Sequence, residues 1–247
     1  MKKNKIYGLI GKNISYSFSK EYFSNKFKTE KISSKYLNFD LIDINQIYKL
    51  TKEFNLSGLN VTIPYKESII QFLDETDSKA KQIGAVNTIK FFNNKMIGYN
   101  TDYIGFKKSL QNISNINIPK NALILGTGGA SKAVKFALSE LGIGFKTVSR
   151  VKNNADYTYQ EIDKYIIDKK LIINCSPVGT FPNIKDSPKI PYQYLTSENF
   201  LYDLVYNPDK TLFLKKGDEI GCFTKNGVEM LKIQAEKAWE IWNDISN

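Results

Sequence analysis

The chain of 247 residues predicts an α/β fold in two parts, and three observations carry that prediction. Apolar strands alternate with helix-spaced segments along most of its length, as a largely parallel sheet with helical crossovers requires. Asn121-Ala-Leu-Ile-Leu125 runs into the glycine turn Gly126-Thr-Gly-Gly-Ala-Ser131 and then a helical stretch, which opens a βαβ unit. A composition 42% hydrophobic and 13% aromatic supplies core for one large domain or two ordinary ones and argues against disorder.

In chain order, Lys5 to Ile10 is a strand, Lys20 to Phe27 a helix and Lys35 to Ile42 a second strand. Ile44, Ile47 and Leu50 share one side of a helix over Ile44 to Phe54, and Leu59 to Ile63 is a strand that Pro64 ends. Val86 to Phe92 and Met96 to Asn100 flank Asn93-Asn-Lys95 as a hairpin. A polar connector, Gln111 to Asn117, precedes the glycine turn, a helix from Lys132 to Leu141 and a strand from Phe145 to Ser149. Further strands at Leu171 to Asn174 and Phe200 to Val205 complete a doubly wound, Rossmann-like pattern. The last helix, Val228 to Trp242, puts Leu231, Ala235, Ala238 and Trp242 on one face, with Gln234 at its edge. That glutamine is either a satisfied structural amide or a side chain looking into a ligand cleft.

Composition removes several kinds of chemistry. There is no histidine, which excludes histidine acid/base work and histidine-dependent triads, so a proton donor must be Lys, Asp, Glu, Tyr or water. Cys175 and Cys222 are too few for a disulfide scaffold and a poor basis for zinc; no metal site is expected. The formal charge is +10, but the lysines are dispersed among Asp and Glu, which is against a nucleic-acid partner. No apolar run approaches a membrane span, and a cytoplasmic location is expected. Of the 35 basic residues Arg150 is the one arginine, in a place that would suit a planar fork.

The chemistry-bearing residues lie in short strings. Gly58-Leu-Asn-Val-Thr-Ile-Pro-Tyr-Lys66 and Gly98-Tyr-Asn-Thr-Asp102 each run from an apolar strand into hydrogen-bonding side chains and end on a charge, with Ala85-Val-Asn-Thr88 between them. Lys66 could be a solvated first-turn residue and Asp102 a helix cap. Together with Asn60, Thr62, Asn87 and Thr101 they instead suggest a polar pocket with a proton-transfer pair. Ser15, Ser17 and Ser19 alternate; in an extended segment they would face one way toward a carboxylate, and before a helix they would be caps.

The glycine turn keeps Gly126 and Gly128 of a dinucleotide fingerprint, with Ser131 in the third place. Its backbone and the helix amino terminus suit a pyrophosphate. After the next strand stands Ser149-Arg150-Val-Lys152, without the acid that accepts an NAD ribose, so a 2′-phosphate and hence NADP is expected.

These strings resemble the shikimate dehydrogenase family nearly end to end. Ser17 and Ser19 match its paired serines, Asn60 to Lys66 its Asn-Val-Thr-x-Pro-x-Lys, Gly84 to Thr88 its Gly-Ala-Val-Asn-Thr, and Gly98 to Asp102 its Gly-x-Asn-Thr-Asp. Asn174-Cys-Ser-Pro-Val-Gly179, Asp203-Leu-Val-Tyr-Asn-Pro208 and Asn226-Gly-Val-Glu-Met-Leu231 with Gln234 are similar to its later motifs. Asn13, Tyr16 and Lys20 replace the usual proline, histidine and proline around the serines, and Ser149 and Val151 replace asparagine and threonine.

The resemblance implies NADPH-dependent, reversible reduction of 3-dehydroshikimate to shikimate on the path to chorismate. It implies Lys66 and Asp102 as the catalytic pair, within reach of each other across a cleft. Ser17 and Ser19 would hold the substrate carboxylate, and Asn60, Thr62, Asn87, Tyr206 and Gln234 the rest of the substrate. Gly126, Thr127, Gly128, Gly129, Ala130, Ser149, Arg150, Lys152, Val205 and Gly227 would hold the cofactor. The expected domains are 1–102, substrate-binding, with 226–247 packing back on it, and 103–225, NADP-binding. Alternatives are a quinate/shikimate dehydrogenase with relaxed substrate or NAD use, and a catalytically silent NADP-binding regulator. Monomer and homodimer both remain open.

Overall fold

The structure, a computed structural model, describes residues 5–15, 17–114, 117–162 and 171–244; part of the expected connector, 115–116, lies outside them. The chain divides into two compact units, residues 1–101 with 235–247, and residues 102–234.

The first unit holds a sheet ordered β2-β1-β3-β5-β6-β4 among the described residues. Strands β1 (Lys5–Gly11), β2 (Ser34–Asp40) and β3 (Leu56–Val61) are parallel, joined by helices α1 (Phe18–Thr29) and α2 (Ile47–Glu53). Strand β4 (Glu75–Thr76), helix α3 (Ser78–Ile83) and the hairpin β5 (Thr88–Phe92) and β6 (Lys95–Tyr99) follow, with β5 antiparallel to β3. Strands β1 and β3 are covered on both faces, which is why they read as nearly continuous apolar runs. One face packs Ile10, Ile47, Leu50, Leu59, Ile69 and Ile89. The other packs Tyr7, Phe23, Phe27 and Tyr36 with Ala235, Ala238 and Trp242 of the last helix.

A Cβ on Gly58 would stand 2.4 Å from the Trp242 ring, so glycine is what lets the indole lie on β3. Its Nε1 donates to the Ile89 carbonyl at 3.0 Å. The single helix expected over Ile44 to Phe54 is two pieces: a 3₁₀ turn at Ile44–Gln46, begun by an Asp43–Gln46 capping box, and then α2. Such a box closes a tight first turn by satisfying its free N–H groups reciprocally.

The second unit holds a parallel sheet ordered β12-β11-β10-β7-β8-β9 among the described residues. Helix α4 (Asp102–Gln111) leads to β7 (Asn121–Leu125), α5 (Gly129–Glu140), β8 (Gly144–Ser149) and β9 (Tyr157–Thr158). Strands β10 (Leu171–Asn174) and β11 (Phe200–Asp203), helix α6 (Leu212–Ile220) and β12 (Phe223–Lys225) complete it. Its core joins Leu123, Leu125, Val148, Ile172, Leu201 and Phe213. The order places β7 at the centre with neighbours on both sides, the doubly wound arrangement that the alternation predicts.

Helix α7 (Val228–Asn243) buries Met230, Gln234, Ala238 and Trp242, an i, i+4 row, beside Ala235. Leu231, expected on that face, is half-exposed, and Gln234 lies within the buried row rather than at its edge. Among the described residues no helix is long and apolar enough to cross a membrane.

Candidate active site

In the first unit the carboxyl end of β3 meets the start of β5 in a buried polar network. Tyr36 Oη donates to Asn60 Oδ1 at 2.7 Å, and Asn60 Nδ2 donates to the Asn87 carbonyl at 3.3 Å and to Thr88 Oγ1 at 3.4 Å. Asn87 Oδ1 accepts from the Thr101 N–H at 2.7 Å and from Thr88 Oγ1 at 3.2 Å; Asn87 Nδ2 donates to Thr101 Oγ1 at 2.9 Å. Burial drives the Tyr36 hydroxyl far up in pKa, while a hydrogen bond from Ser19 pulls the other way. Ser19, Tyr36, Asn60, Thr88, Asn87 and Thr101 are thus one hydrogen-bonded chain. Sequence reasoning named every member as functional except Tyr36 and Thr88, and Tyr36 falls there within the second strand with no role assigned.

The serine segment is not extended through Ser19. Helix α1 starts at Phe18, Ser17 is its N-cap with Oγ accepting from the Lys20 N–H at 3.2 Å, and Ser19 sits in the first turn. Asp40, at the end of β2, anchors the loop before it by accepting from the N–H groups of Asn13, at 2.9 Å, and Ile14, at 3.2 Å. Asn13 adopts φ 57°, the left-handed region that asparagine tolerates. The proline usual in the family could neither reach that φ nor donate that N–H.

Thr62 and Lys66 flank the turn after β3 and are half-buried; the Thr62 N–H donates to Ile10 O at 2.9 Å, and the Lys66 carbonyl accepts from the Val86 N–H at 2.7 Å. The second unit begins at Asp102, buried at 6% exposure in the first turn of α4. There Gly105 fits against α7: a Cβ would stand 2.6 Å from the Met230 carbonyl and 3.1 Å from the Gln234 Cβ.

The glycine turn has features that fit a dinucleotide. Gly126 has φ 112°, a left-handed value suited to glycine, and the Gly128 N-cap carries no side-chain cap. A Cβ on Gly128 would meet nothing within 4 Å, so open space lies before the amino terminus of α5 and its N–H groups. Ser131 Oγ, in the third fingerprint position, turns inward and donates to the Gly128 carbonyl at 2.7 Å.

Arg150 is exposed after β8, whereas Lys152 forms an ion pair with Glu161. The ends of β10 and β11 are tied by Asp203, whose Oδ1 accepts from Asn174 Nδ2 at 2.9 Å and the Val205 N–H at 3.0 Å, and Oδ2 from Thr211 Oγ1 at 2.6 Å. Burial pushes that carboxyl up to about 6, against the pull of those three donors. Gly227 packs against the next segment: its N–H donates to Val205 O at 3.3 Å, and a Cβ would lie 2.3 Å from the Leu204 carbonyl. Tyr206 is half-buried beside them in sequence. Among the described residues no cluster of His, Cys, Asp or Glu could hold a metal ion.

The family described as the shikimate dehydrogenase substrate binding domain matches residues 9–89. The shikimate dehydrogenase (NADP(+)) of Methanococcus maripaludis is 39% identical over 259 residues, covering 98% of this chain and 93% of the relative. A crystal structure of a shikimate dehydrogenase in complex with NADP+ superposes with a TM-score of 0.86 at 33% identity, covering 98% of this chain and 90% of that one. The Thermus thermophilus enzyme in complex with NADP(H) and shikimate gives 0.85 at 28% identity, with 97% and 93% covered.

Proposed function

Because this chain belongs to the shikimate dehydrogenase family, we propose that it performs the family's reaction, the NADP-dependent interconversion of 3-dehydroshikimate and shikimate. The observation that carries this reading is the buried asparagine and threonine network of the first unit. Hydrogen-bonding groups there are fixed by one another before any substrate arrives, which suits a small polyol whose hydroxyls must be held in one orientation.

NADPH supplies the hydride when bound. The chain's own residues then orient the substrate and move one proton. Lys66 Nζ protonates the alkoxide oxygen that forms on reduction and takes the hydroxyl proton on oxidation. Asp102 couples to that lysine's charge and accepts from a substrate hydroxyl.

Ser17 donates to the substrate carboxylate, and Ser19 does so by giving up its hydrogen bond to Tyr36. Ser17 also caps α1, and the helix amino terminus adds favourable potential for the anion. Asn87, Thr62, Tyr206 and Gln234 bind the ring hydroxyls. Asn60 acts differently from a direct contact: its amide is engaged on both sides by Tyr36, Asn87 and Thr88, and it holds Asn87 in place.

The residues of the second unit fit the cofactor. The Gly126 to Ala130 backbone would take the pyrophosphate, Ser149 and Arg150 the adenosine and its 2′-phosphate with Lys152 beside them, and Val205 and Gly227 would line the nicotinamide. The experiment is NADP+ reduction on adding shikimate, repeated with NAD+ and with quinate. Reduction with shikimate and NADP+ is expected; purified, folded chain that gives none with any pairing is the silent regulator instead. Lys66→Ala is expected to lower kcat by about two to four orders of magnitude, the range of a lost general acid, with shikimate affinity within a few-fold of the parent. Near-parental turnover would remove Lys66 from the proton path.

A further inference from the structure

The turn after β8 meets an acid that the sequence does not place there. Thr158 in β9 lies beside Ser149 in the parallel pairing of β8 and β9. Its N–H and its hydroxyl both donate to Glu161 Oε2, at 2.7 and 3.0 Å. With that oxygen fixed, Glu161 Oε1 pairs with Lys152 Nζ. The hydrogen bond from Lys152, and then those from Thr158, hold the Glu161 carboxyl down at about 2, so it is ionised throughout the physiological range. Arg150 is exposed and takes part in no ion pair among the described residues.

The two cations of this turn are therefore not equivalent. A 2′-phosphate approaching it finds one planar fork without an acid partner among the described residues and one ammonium already engaged by a carboxylate. We propose that Glu161 sets how far this chain prefers NADP over NAD: it engages Lys152, leaves recognition of the 2′-phosphate to Arg150, and keeps a negative charge beside the phosphate's place. That charge disfavours a dianionic 2′-phosphate and is indifferent to a neutral 2′-hydroxyl. The proposal rests on the reading that the adenosine end of NADP lies at this turn.

Calorimetric titration of NADP+, NAD+ and 2′-AMP into the whole chain tests it without reference to turnover. Glu161→Gln is nearly isosteric and can still accept from Thr158 while breaking the ion pair with Lys152. It is expected to tighten NADP+ and 2′-AMP by about five- to ten-fold, the size of one screened charge at a half-exposed site, with NAD+ within about two-fold. Lys152→Ala is expected to weaken NADP+ binding less in the parent than in the Glu161→Gln background, where it should cancel most of the gain, a coupling that a double-mutant cycle reads directly. Unchanged NAD+ affinity doubles as the check that the variants are folded.

If Arg150→Ala weakens NADP+ and 2′-AMP while Glu161→Gln changes neither, the proposal is overturned and the cofactor reading stands. If Arg150→Ala leaves NADP+ unaffected, the phosphate is not bound at this turn and both are overturned.

Discussion

Tyr36 is the residue whose role could not be seen in the sequence, because an aromatic in a strand is ordinarily core. Its ring does pack there, stacked on Phe23 at 4.8 Å between centroids, but its hydroxyl supplies the hydrogen bond to Asn60 Oδ1. Tyr36→Phe keeps the ring and orphans a buried amide oxygen, at an expected cost of about 1–3 kcal/mol in unfolding free energy. The loosened Asn60 should also raise KM for shikimate more than it lowers kcat if, as proposed, the network positions substrate rather than protons. An unchanged KM would mean that Asn87 is held without Tyr36. Asp203 gives a second test at this scale. Its carboxyl, near 3.8 when unfolded, is pushed up to about 6 by burial, so the folded chain binds that proton more tightly than the unfolded one. The contribution to stability is then full below the unfolded value and is lost as pH rises through about 6. Unfolding by urea across pH 4.5 to 7 should show wild type losing on the order of 2 kcal/mol relative to Asp203→Asn. A flat difference would show that the three donors offset burial fully.

At the scale of elements, the pieces that the sequence makes plain are those in which period, caps and turn chemistry agree. Strand β7, the glycine turn, α5 and β8 all lie where the apolar run and the glycines put them, as does the β5–β6 hairpin with Asn93 and Asn94 at positive φ. The elements that escaped notice are short or lack a stripe. Helix α3 is six residues carrying two lysines, made by the Asp77 cap at one end and Gly84 at φ 69° at the other. Helix α6 follows a capping threonine, Thr211, that gives no hint of also being Asp203's donor. Gly227 shows how a motif glycine becomes an element-level constraint. The start of α7 approaches the segment after β11 so closely that a methyl group would stand 2.3 Å from the Leu204 carbonyl. Gly227→Ala must therefore push α7 and that segment apart, with a stability loss of about 1–3 kcal/mol as for other overpacked sites. Because Val205 moves with them, NADP+ affinity should fall measurably while 2′-AMP affinity stays near parental. Equal losses for both ligands would instead point to general loosening of the unit.

For the whole molecule, the consequential feature is that the chain returns to its beginning. Residues 235–247 belong with 1–101, and Ala235, Ala238 and Trp242 complete one face of the core that Tyr7, Phe23, Phe27 and Tyr36 begin. Further ties hold the returning segment: Trp242 Nε1 to Ile89 O, buried Lys90 Nζ to the Asp244 carbonyl at 2.8 Å, Lys26 Nζ to Glu236 at 2.9 Å, and the Tyr22 hydroxyl to Glu236. None of this is visible in the helix's own pattern, which says only that some face is apolar; the partner is fixed by Gly58, whose missing side chain opens the place for Trp242 on β3. Removing the indole by Trp242→Ala leaves a large cavity and takes away its hydrogen bond to the Ile89 carbonyl, so a loss of about 3–5 kcal/mol is expected. The loss should be local in a definite sense. Hydrogen exchange followed by mass spectrometry is expected to show faster opening of β1, β2 and β3, whereas β7 and β10, whose cluster around Leu123, Leu125 and Ile172 holds no residue of the returning segment among the described residues, keep their protection. Equal loss of protection in both sheets would show that the two units unfold as one cooperative body.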